Sequence, residues 1–281
     1  MQVITTKKEL DQRLSSLTEN GSLGLVPTMG ALHQGHAALV EKAVVENRCV
    51  VVSIFVNPTQ FDNSEDLDRY PNTLEKDIFL LEGISGDILV FAPTADEIYD
   101  HQIQSKTYDF EGLDKVMEGA FRNGHFNGVG TIVESLLLLV KPDRAYFGEK
   151  DFQQLQIIRK LVDRNDIPVK IIGCPIVREA SGLAMSSRNE RLSETLRQEA
   201  SFVYKTLRTA KAEFGTESAK YVRDWAEKQF ENHPDLRLEY FEITDVDTLT
   251  PVRRKKTDVK YRAFVAVYCG VVRLIDNIAL N

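Results

Sequence analysis

The 281-residue sequence contains little cysteine, no long apolar run and no signal-like amino terminus, and each absence excludes a class of protein. Its three cysteines, Cys49, Cys174 and Cys269, lie far apart in apolar runs without a C-x-x-C pair. Neither a disulfide framework nor a zinc knuckle is therefore predicted. The first ten residues are polar, unlike a signal peptide, and no stretch reaches the length of a membrane span. We expect a cytoplasmic protein with buried thiols and no membrane partner.

The sequence also has fewer positive than negative side chains. Lysine and arginine number 35 against 42 aspartates and glutamates, which gives a formal net charge of −7. Because proteins that bind nucleic acids or membrane surfaces usually present a basic face, this balance argues against both partners. The length allows one large or two moderate domains, and the apolar share of 43% is ordinary for a globular protein. Any anion-binding site must therefore be local.

Apolar runs alternate with helical patterns through the first part of the chain. Five runs are predicted as strands: residues 23–26, 48–56, 87–91, 143–147 and 169–177. Helices are predicted between them, including residues 8–17 and 129–140, with Thr73 and Asp151 as candidate caps. This order predicts a Rossmann-like, doubly wound parallel sheet with its ligand at the carboxyl ends of the strands. The long irregular segment 92–127 is either a binding segment or a structural excursion.

The pattern changes after residue 177. A long helical region from Ser193 to about Ala212 and a second helix precede three strands, near residues 236–243, 261–269 and 271–275, that look antiparallel. We therefore predict two domains. Residues 1–176 form the Rossmann-like nucleotide-binding domain, and residues 177–281 form a smaller α+β domain that closes as a lid.

The stretch 27–39 contains His33, Gly35 and His36 in an H-x-G-H pattern between a predicted strand and a predicted helix. The amino terminus of a helix offers unpaired N–H groups and the positive end of its dipole, which together suit a phosphate. Histidine adds donors, and glycine lets the backbone come close to a ligand. The alternative is a pair of polar histidines on an exposed loop.

Four further stretches end strands of the predicted sheet or follow them. The amides of 53–61, with Gln60, suit hydroxyl and carboxylate oxygens, or they cap a loop. Residues 122–129 combine Arg122 and His125 with two glycines and form either an anion contact or a turn. Lys150 suits phosphate oxygens, unless 148–154 is a solvated turn. The donors Ser186 to Arg188 suit a nucleotide, unless they only begin a helix.

This ordered set resembles the pantothenate synthetase (pantoate–β-alanine ligase) family, a branch of the H-x-G-H nucleotidyltransferase superfamily that also resembles class I aminoacyl-tRNA synthetases. The H-x-G-H pattern alone would indicate only the superfamily. The resemblance implies two half-reactions, in which ATP and pantoate form pantoyl adenylate and pyrophosphate before β-alanine attacks to give pantothenate and AMP. It also implies Mg²⁺ and a homodimer formed through the first domain.

The same resemblance implies roles for individual residues. His36 is the expected proton donor, and His33, Lys150 and Arg188 are the other expected catalytic residues. Gln60 and Gln154 would hold pantoate, Gln60 would also contact β-alanine, and Asp77 is a candidate ligand of an Mg²⁺ ion held mainly by phosphates and water. Tyr70, Arg122 and His125 are expected near the pyrophosphate. The expected ATP-binding residues are Met29, Gly30, Ala31, Leu32, His33, Gln34, Gly35, His36, Gly148, Glu149, Lys150, Asp151, Val177, Met185, Ser186, Ser187 and Arg188.

Two positions depart from the family pattern, and three rival functions remain. Asn72 stands where arginine commonly follows Tyr-Pro, and the leucine run 136–139 replaces a segment that usually contains asparagine. A nucleotidyltransferase that stops at an adenylylated or cytidylylated product would not need Gln60 and Gln154. A catalytically silent nucleotide-binding regulator would have lost phosphate-handling residues. The acidic net charge and the small second domain disfavour a synthetase that acts on tRNA.

Overall fold

A computed structural model describes residues 1–17, 21–61, 67–68 and 70–281 of the chain. It divides into two compact units. The first comprises Met1–Glu149 and Gln154–Pro175, and the second comprises Lys150–Gln153 and Ile176–Asn281. The short segment Lys150–Gln153 thus belongs with the carboxyl-terminal part of the chain, although it precedes the last strand of the first unit.

One parallel sheet organises the first unit. Across the described residues its six strands lie in the order β1-β4-β3-β2-β5-β6. The order changes direction between β2 and β5, and ligands of such sheets bind beyond the carboxyl ends of the strands at that point. The predicted Rossmann-like parallel sheet is confirmed. The strands are β1 (Gln2–Ile4), β2 (Leu23–Thr28), β3 (Cys49–Ile54), β4 (Leu89–Phe91), β5 (Arg144–Gly148) and β6 (Lys170–Cys174).

Burial explains which strands the sequence reveals. Val51 and Val52 of β3 are neighbours that point to opposite faces, and neither is exposed, so both faces of the sheet are covered. Such a strand is apolar throughout and easy to predict. The edge strand β1 was not predicted, because it has three residues and only Ile4 is buried.

The structure gives the bounds of seven helices in the first part of the sequence. The segment 92–127 contains α4, α5 and the beginning of α6, so its prediction as irregular is wrong in part, and α6 begins four residues earlier than predicted. The leucine run in α6 would suggest a helix buried almost all round, but Leu138 is 53% exposed. The helices are α1 (Lys7–Leu17), α2 (Gln34–Glu46), α3 (Leu74–Glu82), α4 (Ala95–Tyr99), α5 (Glu118–Phe121), α6 (His125–Val140) and α7 (Phe152–Arg164).

The second unit packs helices on a small antiparallel sheet, as predicted. Its strands lie in the order β7-β8-β9, and every pair is antiparallel. The single helix predicted from Ser193 is divided at Ala200. The last strand was predicted to end at residue 275, because the polar residues Asp276 and Asn277 interrupt the apolar pattern. Both residues are buried in the structure, and β9 continues through them. The elements are α8 (Glu194–Glu199), α9 (Ser201–Phe214), α10 (Ala219–Glu231), β7 (Leu236–Asp245), β8 (Tyr261–Cys269) and β9 (Val272–Ala279).

The three cysteines are free thiols, as predicted, but only two are fully buried. Cys174 and Cys269 are buried, whereas Cys49 is half-buried. Burial raises the pKa of the Cys174 thiol to about 11. In the described part of the chain, no helix combines the length and the apolar character that a membrane crossing requires.

Candidate active site

The predicted histidine turn connects β2 to α2 through two residues in the left-handed backbone region. Gly30 has φ of +81° and Ala31 has φ of +50°. Glycine adopts this conformation freely, whereas for alanine it costs about 1–2 kcal/mol. The Gly30 N–H donates to Thr28 Oγ1 at 3.2 Å, and Thr28 Oγ1 donates to the Ser53 carbonyl at 2.7 Å. The turn is therefore tied to the ends of β2 and β3.

His33 and His36 form a capping box at the start of α2. His33 Nδ1 accepts from the Gly35 N–H at 3.1 Å, and His36 Nδ1 accepts from the His33 N–H at 3.3 Å. A neutral imidazole has one donor and one acceptor nitrogen, so both protons lie on Nε2. The ring centroids are 4.1 Å apart. The two rings therefore present neighbouring Nε2–H donors at the positive end of a helix, which is the arrangement that an anion requires.

Asp77 of α3 binds the backbone of the same turn. Its Oδ2 accepts from the Ala31 N–H at 3.0 Å, and its Oδ1 accepts from the Leu32 N–H at 2.8 Å. Thr73, predicted as a helix cap, occupies the N-cap position but makes no capping bond with its side chain. Its hydroxyl instead donates to Asp77 Oδ1 at 3.1 Å. Asp77 is only 2% exposed.

Gln60 lies in a buried polar network that follows β3. Its Oε1 accepts from Asn57 Nδ2 at 3.1 Å, and its Nε2 donates to the sulfur of Met29 at 2.8 Å. Asn57 Oδ1 accepts from the Thr59 hydroxyl at 3.1 Å and from the Tyr99 hydroxyl. The structure thus brings Met29 of the histidine turn and Gln60 together, as the predicted site requires. No pattern in the sequence indicated that Tyr99, which lies 42 residues beyond Asn57, belongs to this network.

The predicted anion-binding residues Arg122 and His125 support the Gln60 backbone. Arg122 Nη1 donates to His125 Nε2 at 3.0 Å, because a guanidinium has no acceptor. His125 Nδ1 therefore carries the proton and donates to the Gln60 carbonyl at 2.8 Å. His125 is only 6% exposed. The expectation that both residues lie near a pyrophosphate remains a prediction.

Lys150 lies in a 3-10 turn, Glu149–Asp151, that runs into α7. Its backbone carbonyl accepts from Asn277 Nδ2 at 2.8 Å, and Arg262 donates in turn to Asn277 Oδ1. Arg262 also stacks on the Phe152 ring, 3.9 Å from its centroid. Asp151, predicted as a cap, lies within the 3-10 turn, and its carboxylate is 3.6 Å from Lys150 Nζ.

The hydroxyl and arginine segment begins a second 3-10 turn, Ser187–Arg191. Ser186 Oγ accepts from the Arg188 N–H at 3.3 Å, so this serine caps the turn, and its expected contact with a nucleotide remains a prediction. Asn189 Nδ2 donates to Glu179 Oε1 at 2.8 Å and to the Ala184 carbonyl at 3.1 Å. The Met185 N–H donates to the Val177 carbonyl at 3.0 Å, which brings two expected nucleotide contacts together.

A buried ion pair supports this segment from β9. Arg178 donates to both oxygens of Asp276, at 2.6 and 3.0 Å, and to the Gly182 carbonyl at 3.1 Å. Its guanidinium lies 3.7 Å from the Tyr204 ring centroid. Burial raises the pKa of Asp276, and Arg178 opposes that shift. The pair therefore fixes the chain that leads to Ser186.

Known proteins share this fold and are similar in sequence along the whole chain. The family model of pantoate-beta-alanine ligases matches residues 2–279. The chain belongs to the pantoate–β-alanine ligase family. The family and reaction class predicted from the sequence are confirmed. The ligase is 58% identical to the pantothenate synthetase of Christiangramia forsetii, over all of both chains, and 50% identical to that of Bacteroides thetaiotaomicron, over 99% of this chain and 98% of the relative.

Solved structures agree with the relatives. The pantothenate synthetase of Thermus thermophilus superposes on the ligase with a TM-score of 0.92 at 41% identity, over 100% of this chain and 99% of that one. The pantoate-beta-alanine ligase of Francisella tularensis, complexed with beta-gamma ATP and beta-alanine, gives a TM-score of 0.81 at 36% identity, over 100% and 98% of the two chains.

Asp77, the candidate Mg²⁺ ligand, binds the backbone of the histidine turn with both of its oxygens. Its assignment as a metal ligand remains a prediction from sequence. Among the described residues, one acidic and histidine group has ligand atoms within 4.8 Å of one another: Glu199, His233 and Asp235. His233 Nδ1 there accepts the Asp235 N–H at 3.2 Å. No predicted site residue belongs to that group.

Proposed function

We propose that the ligase condenses pantoate with β-alanine in an ATP-dependent reaction, through a pantoyl-adenylate intermediate. The observation that carries this proposal is the pair of Nε2–H donors at the start of α2. The likeness to a relative solved in complex with beta-gamma ATP and beta-alanine supports the choice of substrates. The rival nucleotidyltransferase accounts less well for Gln60, whose amide is oriented by neighbours at both atoms and which nucleotide transfer alone does not require.

In the first half-reaction, a pantoate carboxylate oxygen attacks the α-phosphorus of ATP and the bond to the pyrophosphate oxygen breaks. Negative charge then grows on the phosphoryl and leaving oxygens, so positioned donors supply most of the catalysis. We assign this task to His33 and His36, with His36 as proton donor, and to Lys150 and Arg188. The other ATP contacts are assigned to Met29–Gly35, Gly148–Asp151, Val177 and Met185–Ser187.

In the second half-reaction, the β-alanine amine attacks the acyl carbon of pantoyl adenylate. The bond between that carbon and the AMP oxygen breaks, and the amine loses a proton. We assign pantoate binding to Gln60 and Gln154, and the β-alanine contact to Gln60. Gln154 lies half-buried in the first turn of α7, and Gln60 is held by neighbours on both atoms of its amide. A fixed amide orients a small substrate at low entropic cost.

Mg²⁺ enters this proposal as part of the substrate, MgATP, with its ligands supplied mainly by phosphates and water. We further propose that the ligase works in the cytoplasm as a homodimer, which sedimentation can test. Residues 1–176 would act as the nucleotide- and pantoate-binding domain, and residues 177–281 as the lid.

Isotope exchange between pyrophosphate and ATP tests the proposal directly. Exchange should require pantoate and Mg²⁺ but should proceed without β-alanine, because the adenylate forms before the amine reacts. Exchange that needs no pantoate would favour a nucleotidyltransferase. A complete lack of exchange, with ATP still bound, would favour the catalytically silent regulator.

A further inference from the structure

The Asp77 carboxylate is buried against the backbone just before the two histidines. It accepts two consecutive N–H groups, from Ala31 and Leu32, and lies in the first turn of α3, where the helix dipole favours a negative charge. A Cβ atom built on Gly30 would lie 3.1 Å from Asp77 Oδ2, so a side chain at position 30 would press on the carboxylate. The carboxylate therefore fits this glycine-containing backbone.

The bound segment includes the strained residue of the turn. Ala31 has φ of +50°, in a region that favours glycine, and such a conformation persists only where surrounding contacts enforce it. The Asp77 oxygens are those contacts, since an ionised carboxylate makes the stronger kind of hydrogen bond to an N–H group. Without them the chain would relax before it reaches His33, the N-cap of α2.

We infer that Asp77 acts on the reaction as a positioning residue, which holds the histidine turn in its active geometry through the backbone. The inference rests on the proposed function, because it assumes that His33 and His36 act on ATP. The geometry explains why both acceptor oxygens are needed. One fixes the strained residue, and the other fixes the residue directly before the capping histidine.

The Asp77→Asn variant keeps the shape of the side chain but replaces one acceptor oxygen with an NH₂ donor. One of the two backbone N–H groups then faces a donor. We expect kcat for pyrophosphate exchange to fall about 10- to 100-fold, the scale expected of a small misplacement. The KM for pantoate and the Mg²⁺ concentration at half-maximal rate should not change. Hydrogen exchange at the Ala31 and Leu32 amides should become faster.

Glycine at position 31 provides a rescue. Because glycine adopts a positive φ without strain, the double variant Ala31→Gly with Asp77→Asn should recover part of the lost kcat. A lost metal ligand would not be restored this way. The matched control is Glu75→Gln, which removes a carboxylate from an exposed position in the same helical turn and should leave kcat and amide exchange unchanged.

Three results would overturn the inference. They are a raised Mg²⁺ requirement that excess Mg²⁺ corrects, unchanged amide exchange in Asp77→Asn, and an absence of rescue by glycine. Should Asp77→Asn not fold, the wild-type ligase still gives a test, because unprotected Ala31 and Leu32 amides would contradict the hydrogen bonds. Amide protection does not depend on the reaction, so a wild-type ligase without pyrophosphate exchange would count against the proposed function alone.

Discussion

The two units hold their proposed ATP-binding segments with opposite chemistry. In the first unit, the acidic side chain of Asp77 accepts backbone N–H groups of the histidine turn. In the second unit, side-chain donors hold backbone carbonyls, because Asn277 donates to Lys150 and Arg178 donates to Gly182. Acceptor and donor side chains each match the backbone that they hold. A turn before a helix has N–H groups without a helical partner, and the loops at Lys150 and Gly182 have carbonyls that need donors.

The difference also predicts how each segment fails. Loss of an acceptor beneath the histidine turn changes a strained local conformation, whereas loss of Arg178 leaves a buried carboxylate without its partner. A defect in the first unit should therefore appear mainly in the chemical step. A defect in the second should appear first in stability.

The largest expected effect is on the second unit, in the Arg178→Met variant. Removal of one partner of a buried ion pair costs about 3–5 kcal/mol in the free energy of unfolding. The unpaired Asp276 then has a further raised pKa, so it binds its proton more tightly folded than unfolded. The loss of stability should be full at neutral pH and should shrink as pH falls through the raised folded pKa of Asp276, because the buried carboxylate then becomes neutral.

Denaturant unfolding followed by the fluorescence of Trp225, the single tryptophan, measures this loss within the second unit. Arg253→Met, at an exposed position of the same unit, serves as the control. If the loss in the free energy of unfolding stayed the same at acidic pH, the stacking of Arg178 on Tyr204, and not the ion pair, would be what stabilises this unit.

The second-largest effect is expected in the first unit, on the rate of the chemical step. His36→Ala removes one donor from the start of α2, and loss of a comparable donor in other enzymes lowers kcat about 10²- to 10³-fold. Pyrophosphate exchange should slow by this factor while pantoate binding is retained. His101→Ala, which alters a histidine whose side chain is 83% exposed in the same unit, is the control. Turnover at the wild-type rate would refute the role assigned to His36.

The smallest effect is expected from Asn277→Ala. The Lys150 carbonyl loses its donor, and an unsatisfied buried group costs about 1–3 kcal/mol, so the KM for ATP should rise about tenfold. Asn232→Ala removes a similar side-chain to carbonyl bond at an exposed position and should have no effect. If Asn277→Ala lowered stability but left the KM for ATP unchanged, the second segment would be a structural support only.

The sequence predicted what depends on local pattern. The β-branched run through Val50 to Val52 indicated a covered parallel strand, and the H-x-G-H pattern indicated a helix start with histidine donors. Both were visible because neighbouring residues carry the signal. The same reasoning did not separate α8 from α9, since Ser193 to Ala212 has an unbroken helical pattern and the structure interrupts it at Ala200.

Contacts between distant residues were not predictable in this way. Asp77 lies 45 residues beyond Leu32, and Asn277 lies 127 residues beyond Lys150, so no spacing rule connects them. The left-handed conformation of Ala31 was equally hidden, because alanine favours helices and its neighbours enforce the exception. The exposure of Leu138 shows the converse, that an apolar run does not reveal which of its faces meets solvent.

Met29 gives the recognition of pantoate a particular character, if Gln60 binds that substrate as proposed. A thioether sulfur is a weak acceptor, so the Gln60 Nε2–H group is oriented by a hydrogen bond that is itself weak. An arriving hydroxyl or carboxylate oxygen offers a stronger bond and displaces a poor one. The sulfur therefore occupies the place of the substrate acceptor. It keeps the Gln60 amide oriented in the enzyme without substrate, and its bond costs little to break when pantoate binds.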